Sequence, residues 1–474
     1  MTNAPRHFLD IFFNPRSVAV VGASRTMSTA NYWLAANLVS LKYPGKVYPV
    51  NPNATELLGL KCYPSVRDIP YDVDLSAISV PARACPDVVR DCVAKGVKAI
   101  VIIAGGFSET GADGQGLQDE IKRLLKGSGI RCVGPNSLSP VNAALSFIIG
   151  FGPAEKLPRG RLSFVFQSGL YQPRLNYLLN DLHINIAKLL DLGNKMDVNE
   201  VDALEYLAQD DATEVICIHL ESIAGDARRF LRLLKETTPR KPVIILKSGR
   251  TPAGAKAASS HTGAIIKASD VVFDTAFRQA GAIRVQGLDE FFDLAKAFEY
   301  YPPMPGNRIA IASFSGGEGV ITTDFCYVHG LELASPTDES RQKLKSIFPP
   351  WEILVNPYDT GVGNQFNPGV DVVSAYMDIL AGDPNVDCLA VQIGGPPQMA
   401  GFSVEDRLAK TVELYRSVVR RGKHVVAWVI DPRNAREMMN DLEAARIPTY
   451  PSAERAVRAL GALHRYAGIR HSHA

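Results

Sequence analysis

Several things are scarce in this chain of 474 residues, and each scarcity removes a class of function. Its seven cysteines, at 62, 85, 92, 132, 217, 326 and 388, contain no CxxC pair. That argues against a zinc site and a disulfide framework, and several of them sit inside apolar runs such as Val215-Ile216-Cys217-Ile218. They read as reduced core thiols of a cytoplasmic protein. Charge of one sign is also lacking: 51 Lys and Arg face 49 Asp and Glu, a formal balance of +2. Without a basic field, no nucleic-acid partner is expected. No run approaches the length needed to span a bilayer, and the amino terminus lacks the pattern of a signal peptide, so no membrane role is expected. The dinucleotide fingerprint G-x-G-x-x-G is missing as well. The first glycine turn reads GASRTM, and the second strand leads to Val50-Asn51-Pro52 with no acidic residue. A nicotinamide dehydrogenase is therefore disfavoured.

What is present is a repeated start. Apolar strands run into small polar turns at Ser17–Ser24, at Leu162–Phe166 before Gln167-Ser168-Gly169, and at Ile309–Ala312 before Ser313–Gly319. The interval is roughly one domain length. Proline-rich stretches separate the starts, around Pro153, Pro158 and Gly160 and again at Tyr301–Gly306. Strands alternate with helical patterns within each third, which predicts α/β architecture: three tandem doubly wound modules over 1–150, 151–302 and 303–474. Such sheets bind ligands at the carboxyl ends of their strands. In the first module those ends carry Gly22, Ala23, Ser24 and Arg25, then Asn51 and Pro52, Ser79, Val80 and Pro81, Gly106 and Phe107, and Gly134, Pro135 and Asn136. The amides of Gly22 to Ser24, expected at a helix start, and the Arg25 guanidinium suit a phosphate.

The second module holds the most unusual stretch, KSGRTPAGAKAASSHTG from Lys247 to Gly263. Small residues crowd a single imidazole, His261, and bury little apolar area, so the stretch reads as a loop. A neutral imidazole attacks a phosphoryl group readily, and the covalent product can be carried between sites. The plainer alternative is a surface histidine bonded to a carbonyl. Glu221 ends the strand before, at the same expected sheet edge, where a carboxylate fixes an imidazole tautomer and stabilises positive charge. Gln167-Ser168-Gly169 and Ser315-Gly316-Gly317 stand where helices are expected to begin, and two helix amino termini suit one phosphoryl group.

With those residues in view, the chain resembles the alpha subunit of the NDP-forming acyl-CoA synthetases, the superfamily of succinyl-CoA synthetase and ADP-forming acetate-CoA ligase. The resemblance runs along nearly the whole chain: VAVVGASR, YPVNPN, AGGFSETG and GPN, then QSG, LGNKMDVNEVDALEYL and KSGRTPAGAKAASSHTGA, then SGGEGV and NPYD. It implies a Rossmann-like CoA-binding domain followed by two flavodoxin-like domains. It implies that the first-module turns named above bind coenzyme A, that His261 is the phosphohistidine held by Glu221, and that the turns at Ser168 and Ser315 bind the phosphate. The implied reaction joins a small carboxylic acid to CoA with ATP, giving acyl-CoA, ADP and phosphate, reversibly and through an acyl phosphate. No ATP-grasp segment fits in the three modules, so Mg-ATP or ADP is expected on a separate beta subunit of a hetero-oligomer. No metal ligand is assigned to this chain.

The sequence departs from the family in places. Thr26–Asn31 lacks the usual glycines and lysine, Phe166 replaces a small polar residue, and Leu170-Tyr171-Gln172-Pro173-Arg174 is bulky. Crowding by Phe166 and Tyr171 is expected to reshape the acyl pocket. These departures keep a second reading in play, a non-catalytic CoA-binding or acyl-CoA-sensing scaffold.

Overall fold

The computed structural model describes residues 7–167, 169, 175–262, 270–351, 355–394 and 404–472. They contain three sheets of one plan. In the first, β1 (Ser17–Val21), β2 (Lys46–Val50), β3 (Leu75–Ile78), β4 (Ala99–Ile102) and β5 (Arg131–Val133) are all parallel and lie in the order β2-β1-β3-β4-β5. The β-branched run Ser-Val-Ala-Val-Val of β1 is buried throughout, as a strand covered by helices on both faces must be. The helix Cys85–Lys95 shows how the crossovers are written. Pro86 opens it, Cys85, Val89 and Cys92 line its buried face at helical spacing, and Gly96 closes it at φ +75°.

The second sheet has seven strands: β6 (Val141–Asn142), β7 (Phe147–Ile148), β8 (Arg159–Phe166), β9 (Ile186–Asp191), β10 (Val215–Leu220), β11 (Val243–Lys247) and β12 (Ile283–Val285). Its parallel part runs β9-β8-β10-β11-β12, and β6 and β7 extend it antiparallel beyond β9. The third contains β13 (Arg308–Ser313), β14 (Glu332–Leu333), β15 (Tyr358–Asp359), β16 (Cys388–Ile393), β17 (His424–Val429) and β18 (Thr449–Tyr450), ordered β14-β13-β16-β17-β18 with β15 pairing β13 from outside that path. The five-stranded parallel path of each sheet, with its own strands numbered along the chain, thus repeats one order, second-first-third-fourth-fifth, with its first strand beside the point where the order reverses. The three glycine-bearing turns of the sequence follow β1, β8 and β13, the three switch-point strands.

Compactness divides the chain differently from the proline-rich stretches. One unit covers Met1–Phe291 and the other Phe292–Ala474. The first two sheets share one unit because they share a core: Val18, Val20 and Leu34 belong to the same apolar cluster as Val165, Leu190 and Ile216. The stretch Tyr301–Gly306, read from sequence as a hinge, is built into the second unit. Tyr301 and Met304 are buried, and the Tyr301 hydroxyl donates to Val425 O at 2.7 Å. All seven cysteines are buried and unpaired. Among the described residues no helix is long and apolar enough to cross a membrane.

Candidate active site

The first-sheet turns form a row. Gly22 follows β1, Asn51 follows β2, Ser79 follows β3, Gly106 lies beyond β4 and Gly134 follows β5, so every residue assigned from sequence to CoA lies along one carboxyl edge. Gly22 has φ +85°, and a Cβ there would meet Ser79 O at 2.3 Å. Only glycine allows the β1 turn to lie so close to the β3 turn. Asn31 stitches the same two turns, donating to Gly22 O at 3.1 Å and Ser79 O at 2.8 Å while accepting from the Ser79 hydroxyl. Asn51 donates to Ala23 O at 2.8 Å, and Arg25 bonds Asn53 O. One expectation needs correction. The helix after β1 begins at Ala30, with Thr29 as its cap residue, so Gly22, Ala23 and Ser24 are not at a helix start. The segment before it runs as a turn, in which Thr29 N donates to Thr26 O at 3.0 Å.

Beyond β4, the Glu109 carboxylate accepts from Gly106 N at 2.6 Å and Phe107 N at 3.2 Å, and from the Asn194 amide at 2.5 Å. Burial works against its ionisation, yet the Asn194 amide and the two backbone donors hold its carboxyl below the usual range. Asn194 belongs to the turn after β9, so Glu109 ties the edges of the first two sheets together. The Gly134-Pro135-Asn136 turn does the same: Pro135 O accepts from Asn194 N at 2.9 Å and Gly134 O from Met196 N at 3.1 Å.

At the second-sheet edge, Gln167 follows β8 and Glu221 follows β10, both buried. The Gln167 side-chain oxygen accepts from Glu221 N at 2.9 Å and Ser222 N at 3.1 Å, bringing the two turns together. The sequence reading had picked both but missed what joins them. Lys195 donates to the same Gln167 oxygen at 2.9 Å and to Ser222 O at 2.6 Å, and pairs with Glu200 at 3.0 Å. Burial lowers the Lys195 pKa, opposed by the charge of Glu200. No spacing rule in LGNKMDVNE identifies Lys195. Asp191, which ends β9, is pushed up to about 6 by burial, against hydrogen bonds from Leu138 N and Gly193 N.

His261 requires the second correction. Residues Pro252–Thr262 form a helix, with His261 near its end, where a loop was expected. Alanine at 253, 255, 257 and 258 has the highest helix propensity, and Thr251 caps the start by accepting from Gly254 N at 3.0 Å. The helix follows β11, which neighbours the β10 strand ending at Glu221, and its backbone lies against the turn Ser108–Thr110 beside Gly106. Nearby, His219 bonds the Ser248 hydroxyl at 2.6 Å, and burial with the Lys247 charge lowers its pKa to about 4. Burial likewise brings Lys247 to about 8.

The helix expected directly after Gln167 falls on residues that lie outside the described set. The described helix begins at Leu175, while Ser168 and 170–174, including Tyr171 and Pro173, lie outside the described residues. Gly169 is described as a turn residue. Phe166 is buried between Phe164, with ring centroids 5.0 Å apart, and Phe291 at 6.5 Å, an aromatic cluster that explains its size without an acyl pocket.

In the second unit, Ser315 caps the helix Gly316–Val328, accepting from Glu318 N at 3.4 Å, and Ser315, Gly316 and Gly317 are all exposed. This turn is where sequence placed it, at a helix amino terminus after β13. Among the described residues no group of three His, Cys, Asp or Glu side chains is arranged to hold a metal.

The comparisons with known proteins agree with this layout. The CoA binding domain family matches residues 16–142, and the succinyl-CoA ligase like flavodoxin domain family matches 159–298. The "Acetate--CoA ligase [ADP-forming] I subunit alpha" of Pyrococcus furiosus is 35% identical over 98% of this chain and 99% of its own length. The "Acetate--CoA ligase [ADP-forming] II" of Archaeoglobus fulgidus is 34% identical over 97% of this chain and 67% of its own length. A solved acetyl-coenzyme A synthetase 1 of Ca. Korarchaeum cryptofilum, in complex with phosphate and ADP, superposes with TM-score 0.87 at 35% identity, covering 98% of this chain and 97% of that one. A CoA-binding module followed by a flavodoxin-like ligase module defines a CoA ligase. This chain belongs to the NDP-forming acyl-CoA synthetase family and is of its alpha-subunit type.

Proposed function

We propose that this chain, with an ATP-grasp beta subunit in a hetero-oligomer, joins a small carboxylic acid to CoA and passes a phosphoryl group through His261. In the acyl-CoA-consuming direction, phosphate displaces CoA to give an acyl phosphate. The His261 imidazole then attacks phosphorus and releases the carboxylic acid, and ADP takes the phosphoryl group, regenerating the imidazole. The Glu221 carboxylate stabilises the positive charge on the ring. The turns at Gln167, Ser168 and Gly169 and at Ser315, Gly316 and Gly317 bind the phosphate through backbone N–H groups. CoA lies along the first-sheet edge, from Gly22, Ala23, Ser24 and Arg25 across Asn51, Pro52, Ser79, Val80 and Pro81 to Gly106, Phe107, Gly134, Pro135 and Asn136. The bounds 1–150, 151–302 and 303–474 separate these roles. When bound on the beta subunit, Mg-ATP or ADP supplies and accepts the phosphoryl group.

One observation carries the reading: the helix bearing His261 follows β11 beside Glu221 and also lies against Ser108–Thr110 at the CoA edge. A phosphoryl carrier must start from where the acyl group leaves CoA, and the contact of its helix with that edge supports the assignment. The test is labelling of the purified chain by γ-labelled Mg-ATP, with and without a co-expressed ATP-grasp subunit. Acid-labile label that needs the partner and disappears in His261→Ala is expected. A well-folded complex that binds CoA and takes no label would instead favour the CoA-sensing scaffold.

A further inference from the structure

We propose that Lys195, paired with Glu200, is the positioning residue that holds Gln167 and the Glu221 turn in place for phosphoryl transfer. Its ammonium is buried at the meeting point of three strand-end turns. It donates to Gln167 Oε1 at 2.9 Å, after β8, and to Ser222 O at 2.6 Å and Ser222 Oγ at 3.2 Å, after β10. The lysine itself stands on the turn after β9, with the left-handed φ of +55° that brings its side chain back beneath the edge. Glu200 completes the brace from the next helix. One of its oxygens faces Lys195 at 3.0 Å, and the other accepts from Ala224 N at 2.7 Å and Gly225 N at 2.8 Å. Asn199 and Asp202 lock that helix start in a capping box, so Glu200 has little freedom.

The arrangement is costly for a merely structural contact. Both side chains are almost fully buried, 2% and 0% exposed, and two apolar residues of similar size would fill the same space without desolvating charge. What apolar residues cannot do is orient the Gln167 carboxamide. With Lys195 and two backbone N–H groups all directed at Oε1, the amide of Gln167 has one available orientation, and the same oxygen holds the backbone of Glu221. Lys195 touches neither reacting group in this account and acts through Gln167 and Glu221.

The inference rests on the reading of His261 as phosphoryl carrier, and its test separates the two. In the full chain with its ATP-grasp subunit, Lys195→Met is compared with the double variant Lys195→Met/Glu200→Met, reading thermal midpoint, rate of acid-labile labelling by γ-labelled Mg-ATP, and KM for CoA. Lys195→Met is expected to slow labelling by about 10–100-fold, the usual range for loss of a group that orients a reacting one. The double variant, free of the unpaired buried charge, regains part of the thermal midpoint, less what the Ala224 and Gly225 bonds to Glu200 contribute, and stays slow, with KM for CoA unchanged. Labelling at the wild-type rate in the double variant would show the pair to be structural and overturn the inference. Should Lys195→Met not fold, Lys195→Arg keeps the charge but cannot present one ammonium to both Gln167 and Ser222, and the same slowing is expected. Unlabelled wild-type complex would overturn the phosphoryl-carrier reading itself, whatever the variants do.

Discussion

The switch-point turns of the second and third sheets occupy equivalent places in the same strand order and are built in opposite ways. After β8, Gln167 is buried at 3% exposure inside a network of Lys195, Glu200, Ser222 and the Glu221 backbone. After β13, Ser315, Gly316 and Gly317 are exposed, and the bond that the side chain of Ser315 makes among the described residues caps its own helix. Shared topology therefore fixes where a ligand meets the sheet and leaves open how. The buried turn is a preorganised charge site whose parts depend on one another. The exposed turn offers bare backbone donors and a helix dipole, and depends on little else.

That contrast breaks most visibly at the buried pair. Glu200→Gln leaves the Lys195 ammonium desolvated without its counter-charge, and removal of one partner of a buried pair costs about 3–5 kcal/mol. Urea unfolding should report a loss of this size. A loss under 1 kcal/mol would mean that water reaches Lys195, and the two turns would then differ less than their burial suggests.

Asp191 gives a smaller effect on the same edge, and its sign is specific. Burial raises its carboxyl from the ordinary 3.8 to about 6 in the folded chain, so the folded state binds a proton more tightly than the unfolded one. Its contribution is favourable below about pH 4 and is lost as pH rises through 6, a change of about 3 kcal/mol. Asp191→Asn removes the titration, and the difference in stability between variant and wild type should move in the variant's favour from pH 4 to 7. A difference independent of pH would place the Asp191 carboxylate in contact with water.

Legibility followed the same division. Strands were readable as short apolar runs between turns: Lys46–Val50, Arg131–Val133 and Cys388–Ile393 are bounded in the structure as the sequence suggests, though of these three only Cys388–Ile393 is buried throughout. So were Gln167 and Glu221, because each directly follows such a run. Lys195 was not, because a buried lysine shows itself only through its partners, and two of these, Gln167 and Ser222, are far from it in the chain. The helix around His261 was misread as loop for a different reason. Its small residues were weighed by the little area they bury, and the helix propensity of its alanines was left out. The compact units escaped notice because prolines mark chain direction, whereas the core shared by the first two sheets is a property of packing.

The smallest expected effect belongs to the exposed turn and tests its independence. Ser315→Ala removes a single cap bond, already long at 3.4 Å, from an exposed helix start, and such caps contribute about 0.5–1 kcal/mol. The backbone N–H groups of Gly316 and Gly317 stay where they are, since among the described residues no side chain bonds them in the way Lys195 bonds Gln167. Urea unfolding should therefore show a loss within that range, with the cooperativity of the transition unchanged. A loss approaching that of Glu200→Gln would mean that the third switch point is held by a network as interdependent as the second. The repeated strand order would then carry a repeated way of building the turn as well as a repeated place for it.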